Sequence, residues 1–369
     1  MIKQKRREAR PACRFFTPDV LHMAKPNPIT RAIIDSTVDR GIREVEEDPK
    51  RSIRKLTDMG RMFNRGPFLD EIYAMVQDLL RNDDSTYYTV IENLLRNTNR
   101  QNLKDFGINI GYNGFTIGRK TIQGLVGVKP FHIPWCISLR INPARRTSIT
   151  VSEIESCVQQ GRPLGIYCYV IRCEESIAFL NKLLAMFRNN PDCSFFCLLP
   201  DQLLHPEHLK AIRSVTNTLF LFPADTPTVS KNIEAMRAQK SLYSVYIYYN
   251  DETAGEWMDG KHWAGLTGYC SSFILTVAAD NCSTKTAARM GKYCRNMRTH
   301  PEYPFICFDF YSDLSMVDKI ISARGQFFEM MENGDIHTVE GVLTDFRHTI
   351  SLEQILSIAL PLPAQDSAG

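Results

Sequence analysis

The sequence predicts an α/β protein in which helices cover a parallel sheet or barrel. Residues 134–139 and 165–171 are apolar runs rich in aromatic and β-branched residues, as buried strands are. Between them, residues 150–161 place apolar side chains at helical spacing. A strand, a helix and a second strand form a crossover unit, and such units build parallel sheets. The same alternation continues to residue 309, which extends the prediction over most of the chain.

The individual elements follow from this alternation. The predicted strands are residues 134–140, 165–171, 193–199, 217–222, 242–249, 271–278 and 303–309. The predicted helices between them are residues 150–161, 175–189, 206–215, 227–239, about 254–266, and 283–297. Strands separated by helical patterns favour a parallel sheet or barrel over an antiparallel sandwich.

Helical patterns precede the predicted barrel. They cover residues 28–48, 50–63, 67–81 and 85–96. Pro49 suits the first position of the second helix, and Ser85 suits the cap of the fourth. The glycine-rich stretch 107–118 is expected to break the helical pattern before the barrel begins.

The carboxy-terminal part has a hairpin pattern. Residues 325–331 and 336–342 flank Glu332-Asn333-Gly334-Asp335, and Asn-Gly is a strong hairpin signal. A last helix is predicted over 351–359, ending before Pro361. The predicted organisation is therefore a basic tail, a helical lead-in region, a partial barrel, and a hairpin with a helix, at residues 1–27, 28–125, 126–310 and 311–369.

Composition excludes several classes of protein. The chain has 44 basic and 41 acidic side chains and a net charge of +3. The molecule as a whole therefore lacks the strong positive electrostatic field that would indicate nucleic-acid binding. The basic residues near the start are expected to form a solvated tail: Lys3, Lys5, Arg6, Arg7, Arg10 and Arg14. No apolar run reaches the roughly 18 residues of a membrane helix, and no signal peptide is recognisable. We expect a cytoplasmic protein without a membrane partner.

The eleven cysteines do not form a metal-binding pattern. No Cys-x-x-Cys occurs, and Cys193 and Cys197 would lie roughly 13 Å apart along a strand. The cysteines in predicted strands are expected to be small core residues: Cys136, Cys168 and Cys307. His205 and His208 are spaced as two ligands of a metal site would be near a helix start. Capping and exposure explain them better, because no third ligand is nearby in sequence.

Charged residues follow the predicted strands. In a barrel the carboxyl ends of the strands form the mouth where chemistry normally takes place. The candidate mouth residues are Arg140, Arg145, Arg172, Glu174, Asp201, Asp225 and Asp309. Helix capping explains part of this pattern. The arginines, with Arg146, either form a pocket for an anionic ligand or are solvated and paired with Glu174 and Glu175.

Several short sequence segments resemble those of the radical S-adenosylmethionine (radical SAM) superfamily, in particular of a branch with a helical amino-terminal region. In order, they are HIPW at 132–135, QGRPLGIY at 160–167, PDCSFF at 191–196, FDFYSD at 308–313, ARGQFF at 323–328 and ENGDI at 332–336. The resemblance covers about residues 30–360. It implies a (β/α) partial TIM barrel with an N-terminal helical region and a short C-terminal hairpin and helix.

The sequence departs from that family at the cofactor site. The resemblance places the family's CxxxCxxC loop, which holds a four-iron cluster, on residues 142–148, which contain no cysteine. The family's glycine pair, which approaches the cofactor, falls on Arg172 and Cys173, and Glu174 alone persists from that motif. The resemblance therefore implies no cluster and a weakened S-adenosylmethionine site at Glu174.

These departures predict a radical-SAM-like pseudoenzyme without an iron–sulfur cluster. It would act as a binding or partner subunit for a peptide, a small molecule or an active radical SAM paralogue. The alternative is a cluster-independent enzyme that uses mouth carboxylates, namely Glu174, Asp201, Asp225 and Asp309, and still binds S-adenosylmethionine. A third hypothesis, nucleic-acid binding through the basic start, is disfavoured by the net charge.

Overall fold

The computed structural model describes residues 28–63, 67–145, 148–344 and 351–362. The predicted basic tail, residues 1–27, lies outside the described residues. The amino-terminal helices are α1 (Pro28–Glu47), α2 (Pro49–Phe63), α3 (Pro67–Leu79), α4 (Thr86–Asn97), α5 (Arg100–Ile108) and α6 (Arg119–Leu125). The four predicted helices are confirmed, and Ser85 caps α4 by accepting a hydrogen bond from the Tyr87 amide. Among the helices described, none is long and apolar enough to span a membrane.

The described strands form a single ten-stranded sheet. They are β1 (Cys136–Arg140), β2 (Cys168–Arg172), β3 (Ser194–Leu198), β4 (Thr218–Pro223), β5 (Tyr243–Tyr249), β6 (Phe273–Ala278), β7 (Ile306–Asp309), β8 (Phe328–Met330), β9 (Ile336–Thr338) and β10 (Gly341–Leu343). Their order is β10-β9-β8-β1-β2-β3-β4-β5-β6-β7. Strands β8 and β1 to β7 are parallel, whereas β9 and β10 are antiparallel to their neighbours. All seven predicted barrel strands and the hairpin are confirmed.

Helices connect the parallel strands, as crossover units require. They are α7 (Val151–Gly161), α8 (Leu180–Asn189), α9 (Pro206–Ile212), α10 (Val229–Ala238), α11 (Ala254–Met258), α12 (Trp263–Leu266) and α13 (Thr284–Thr299). Two more follow: α14 (Phe310–Ser322) and α15 (Leu352–Ala359). Sequence analysis does not predict α14. It begins at the cap Asp309 and connects β7 to β8, so the first strand of the predicted hairpin joins the main sheet.

Side-chain contacts across non-adjacent strands show that the sheet curls into a partial barrel. Arg140 at the end of β1 binds Asp280, which follows β6, with Nη–Oδ distances of 3.0 and 2.8 Å. Arg172 of β2 donates to the hydroxyl of Tyr248 on β5 at 2.9 Å. The predicted (β/α) partial barrel is confirmed, and its core is formed by side chains from both faces of the sheet.

The glycine-rich stretch is a correction to the sequence-based expectation. Instead of breaking the helix, residues Asn109–Gly118 form a π-helix that joins α5 to α6. Gly118 is closely packed in this helix, since a Cβ at this position would overlap the carbonyl oxygen of Gly165. Gly118 therefore allows the helix backbone to contact the turn before β2.

This contact predicts the effect of adding one methyl group. We expect Gly118→Ala to lower the free energy of unfolding by about 1–3 kcal/mol, because the nearest atom is rigid backbone. Gly107→Ala in α5 is the matched control, since its Cβ would have no neighbour within 4 Å. The control is expected to be neutral or stabilising, and urea unfolding of both variants measures the difference. Equal midpoints would contradict the packing role of Gly118.

Candidate functional site

A cluster of charged and phenolic side chains, buried at its centre and exposed at Tyr248 and Asp280, lies at the carboxyl ends of β1 and β2. Its centre is Glu329 of β8, which is fully buried. Because Glu329 is in register with Ser138 of β1, their side chains are neighbours on one face of the sheet, and Ser138 Oγ donates to Glu329 Oε1 at 3.0 Å. We call the following residues the mouth cluster: Arg140, Arg172, Glu174, Tyr248, Asp280, Tyr311 and Glu329.

Glu329 accepts hydrogen bonds from three members of the cluster. Oε1 accepts from Arg172 Nη1 at 2.8 Å, and Oε2 accepts from the Tyr311 hydroxyl at 2.8 Å and from Arg140 Nη2 at 3.2 Å. Burial acts to raise the pKa of Glu329, but Arg172, His337 and Arg140 together hold that pKa well below its ordinary value. Glu329 is therefore a buried, ionised carboxylate whose charge is compensated by its neighbours.

Arg172 is almost completely buried, and every nitrogen of its guanidinium donates to the protein. Nε donates to Glu174 at 3.1 Å, Nη2 to the Tyr248 hydroxyl at 2.9 Å, and Nη1 to the Tyr311 hydroxyl at 3.0 Å as well as to the central carboxylate. The ring of Phe310 lies 5.5 Å from its guanidinium carbon. These bonds leave the Arg172 side chain occupied by internal partners.

Arg140 is the second positively charged residue of the mouth cluster. It forms two hydrogen bonds to Asp280, and these bonds lower the pKa of Asp280 despite the opposing effect of burial. The two guanidinium groups of Arg140 and Arg172 therefore face three carboxylates, those of Glu174, Asp280 and Glu329. This arrangement favours internal pairing of the arginines over a pocket for an anionic ligand.

One predicted mouth arginine, Arg145, lies in the loop after β1. Arg145 is exposed, and its Nη1 lies 3.5 Å from Oε1 of Glu332, in the turn between β8 and β9. Arg146 lies outside the described residues. Arg145 is thus paired with the carboxy-terminal hairpin, at a distance where solvent screens most of the interaction.

The predicted mouth aspartates have separate roles. Asp201 accepts from the Thr228 amide and hydroxyl at 3.3 and 2.6 Å, just before α10. Asp309 caps α14 by accepting from the Ser312 amide at 3.1 Å. Asp225 is exposed in the turn after β4, with a φ of 56°. Among the described contacts, no hydrogen bond or ion pair joins these three aspartates to the arginines of the mouth cluster.

Asp309 differs from the other two aspartates because it is buried and its pKa is raised. Burial raises its pKa, although Tyr249 and Thr276 both donate to its Oδ2, at 2.7 and 2.9 Å. Its oxygens are therefore occupied by internal donors. Glu174, Asp201 and Asp309 are bound to different internal partners, whereas Asp225 is exposed. Acid–base chemistry by these mouth carboxylates stays a prediction.

The two histidines of the suggested half metal site cap a helix. The His205 amide donates to Nδ1 of His208 at 3.4 Å, at the start of α9, and burial lowers the pKa of His208. Across the part of the chain that the structure describes, no group of three or more His, Cys, Asp or Glu residues is placed to hold a metal ion. The capping interpretation agrees with this geometry, but the expected exposure is wrong for His208, which is buried against the start of the helix.

Four members of the mouth cluster are absent from the candidate residues predicted from the sequence: Glu329, Tyr248, Tyr311 and Asp280. Glu329 is a lone carboxylate inside a predicted apolar strand, which was a detectable signal of a buried partner. Tyr248 lies in the predicted strand 242–249, where its apolar and aromatic neighbours indicate a core position. Tyr311 belongs to the unpredicted helix α14. Asp280 follows the predicted strand 271–278, but its pairing with Arg140 depends on the curl of the sheet.

The residues after β1 do not fit a three-thiolate cluster site. The sequence has no cysteine between Cys136 and Cys157, and the Asn142 side chain accepts from the Ala144 amide at 3.0 Å to form a tight turn. Cys173, after β2, is buried, and burial raises the pKa of its thiol to about 12. Thiolates are the ligands that hold iron–sulfur clusters, so the fit fails at the ligand set.

Comparison with known proteins gives similarity of fold. No protein-family model and no curated protein matches the sequence. Among solved structures, the chain is similar to SuiB of Streptococcus suis bound to S-adenosylmethionine, with a TM-score of 0.45 and 12% identity over 67% of this chain and 69% of that chain. It is also similar to anSMEcpe with bound AdoMet and Cp18Cys peptide, with a TM-score of 0.39 and 12% identity over 60% and 80%. The order of the strands and their helical connections confirm the predicted α/β partial barrel, with helices before it and a short hairpin and helix after it.

Proposed function

We propose that this chain is a radical-SAM-like pseudoenzyme that works without an iron–sulfur cluster as a binding or partner subunit. The observation that carries the proposal is the mouth cluster. At the position of the family's cofactor-approaching glycine, the buried Arg172 side chain binds Glu329, Glu174 and two tyrosines. A side chain there fills the space that a glycine would leave for a cofactor.

The same contacts bear on S-adenosylmethionine. Glu174 is the one residue of the family motif that persists, and its Oε1 accepts from Arg172 Nε at 3.1 Å. A carboxylate bound to a buried guanidinium is less available to an incoming ammonium group. We therefore expect weak or absent S-adenosylmethionine binding, and we propose a peptide or an active radical SAM enzyme as the partner.

The test is metal analysis after anaerobic reconstitution with iron and sulfide. We expect less than about one iron per chain, compared with about four for a four-iron cluster. Residual iron should be unchanged in the double variant Cys136→Ser/Cys173→Ser, since neither thiol is expected to be a ligand. Calorimetric titration with S-adenosylmethionine on the same sample is expected to give no saturable heat.

Two results would overturn this proposal. Iron and sulfide at about four per chain, lost in the double cysteine variant, would mean that buried thiols rearrange to hold a cluster. Saturable S-adenosylmethionine binding that Glu174→Gln abolishes would restore a cofactor-dependent function. The exposed variant Glu175→Gln is the matched control for that titration.

A further inference from the structure

The sheet ends at an exposed strand. Strand β10 pairs with β9 on one side, and no other described strand pairs with it. All three of its residues are exposed, and Val342 and Leu343 keep 54% and 38% of their surface accessible. Val339, in the turn before the strand, is 51% exposed. An exposed apolar edge of this kind is able to accept another strand.

This edge is short, at three residues, but it lacks several other devices that prevent pairing with another chain. Lysine, proline and bulges normally protect exposed edge strands. From Phe327 to Thr344 the sequence contains no lysine, arginine or proline. The opposite sheet edge, β7, differs because it is packed against α13 and continues directly into α14. The β10 edge is therefore the accessible one in the described sheet.

The charge around β10 identifies the chemistry of a partner. Glu340 directly precedes β10, Glu332 and Asp335 lie in the turn between β8 and β9, and Arg145 is 3.5 Å from Glu332. Asp335 and Glu340 form no ion pair with another described residue. An apolar strand flanked by unpaired carboxylates complements a segment that carries both apolar and basic side chains.

The register connects this edge to the barrel mouth. Val342 is opposite His337, and His337 is opposite Glu329, so the three side chains share one face of the sheet. A strand added to β10 would therefore extend the face that carries the mouth cluster. A partner bound at this edge would also lie on the side of the sheet where the mouth cluster lies.

We propose that the β10 edge binds an extended peptide segment of a partner protein, with alternating apolar and basic side chains, as an additional strand. Backbone hydrogen bonds to β10 provide affinity, whereas Val342, Leu343 and the neighbouring carboxylates provide selectivity. This inference specifies the peptide partner of the proposed pseudoenzyme and rests on that proposal.

The test uses the full chain and three labelled eight-residue peptides. In the first peptide, valine alternates with lysine and threonine. The second has glutamate in place of lysine, and the third is the lysine peptide with every backbone nitrogen methylated. Fluorescence anisotropy at low salt is expected to show saturable binding of the lysine peptide, at least about tenfold weaker binding of the glutamate peptide, and no binding of the methylated one.

Variants locate the binding site on the protein. Val342→Lys and Leu343→Lys are each expected to weaken binding of the lysine peptide at least about tenfold. Val126→Lys is the matched control, because Val126 is 60% exposed at the end of α6, and it should bind like the wild type. Circular dichroism of all three variants checks that they are folded.

Four outcomes would overturn the proposal: no binding of the lysine peptide, equal binding of the glutamate peptide, binding of the methylated peptide, or equal binding by Leu343→Lys and the wild type. Sedimentation that shows a dimer lost in Val342→Lys would overturn it as well, because the occupant would then be a second copy of the chain. Iron and S-adenosylmethionine measurements are independent of these results, so a failure here is distinguishable from failure of the proposed function.

Discussion

Glu329→Gln is expected to lower the free energy of unfolding by about 3 kcal/mol or more. The substitution keeps the shape of the side chain but removes the fully buried negative charge that pairs with both Arg140 and Arg172. Breaking a buried ion pair by removing one partner is strongly destabilising, because the remaining charge stays buried without compensation. Urea unfolding at pH 7, followed by circular dichroism, measures the change.

A double-mutant cycle separates the ion pair from simple packing loss. Arg172→Leu and Glu329→Leu should each be strongly destabilising, and the double variant should regain part of the loss because no charge of the pair remains unmatched. The control Glu340→Gln, on an exposed residue next to β10, should change the free energy of unfolding by no more than about 0.5 kcal/mol. Additive effects of the two leucine substitutions would contradict the coupling.

The same residue contributes to the pH dependence of stability. Because the folded protein lowers the pKa of Glu329, its ionised form stabilises the fold above the unfolded pKa of about 4.3. That contribution is lost as the pH falls below about 4.3 toward the folded pKa. Glu329→Gln lacks it, so the gap between wild type and variant should narrow in acid. The raised pKa of Asp309 acts in the opposite direction and is present in both proteins.

Asp318→Ala is the second substitution with a large expected effect, and it should lower the free energy of unfolding by about 3–5 kcal/mol. Asp318 lies in α14 and is almost completely buried. Its carboxylate accepts from the Trp135 amide at 3.2 Å and the Gln326 amide at 2.8 Å, and it lies 3.0 Å from Nε2 of His132. The substitution leaves buried donors without partners, and each such donor costs about 1–3 kcal/mol.

The control for this variant is Asp78→Ala. Asp78 is 73% exposed and forms a surface ion pair with Arg81, so its loss should cost only a few tenths of a kcal/mol, about 0.3. Thermal unfolding of both variants under the same conditions makes the comparison. If Asp318→Ala were no more destabilising than its control, the carboxylate would not be the element that ties α14 to the segments before β1 and β8.

Most of the fold could be predicted from local patterns. The strands are short apolar runs, and the helices between them begin at recognisable caps such as Thr150, whose hydroxyl accepts from the Glu153 amide. The hairpin followed from Asn333-Gly334. The close approach of the π-helix Asn109–Gly118 to the turn before β2 could not be predicted, because Gly118 contacts Gly165, a residue distant in sequence.

The candidate site was less predictable for the same reason. Arg140, Arg172 and Glu174 were selected because they follow predicted strands, and the structure brings these three together. Asp201, Asp225 and Asp309 were selected by the same rule, but each has a local role at a turn or helix start. Position after a strand indicates which edge of the sheet a residue occupies, but it does not identify its partner.

The sequence by itself determined the alternation of strands and helices, the hairpin and the absence of cysteine from the loop after β1. These properties depend on residues within a few positions of one another. The tertiary structure alone decided that β8 joins β1, that Glu329 meets Arg140 and Arg172, and that β10 remains exposed. Those contacts join residues far apart in sequence, and the curl of the sheet brings them within hydrogen-bond distance.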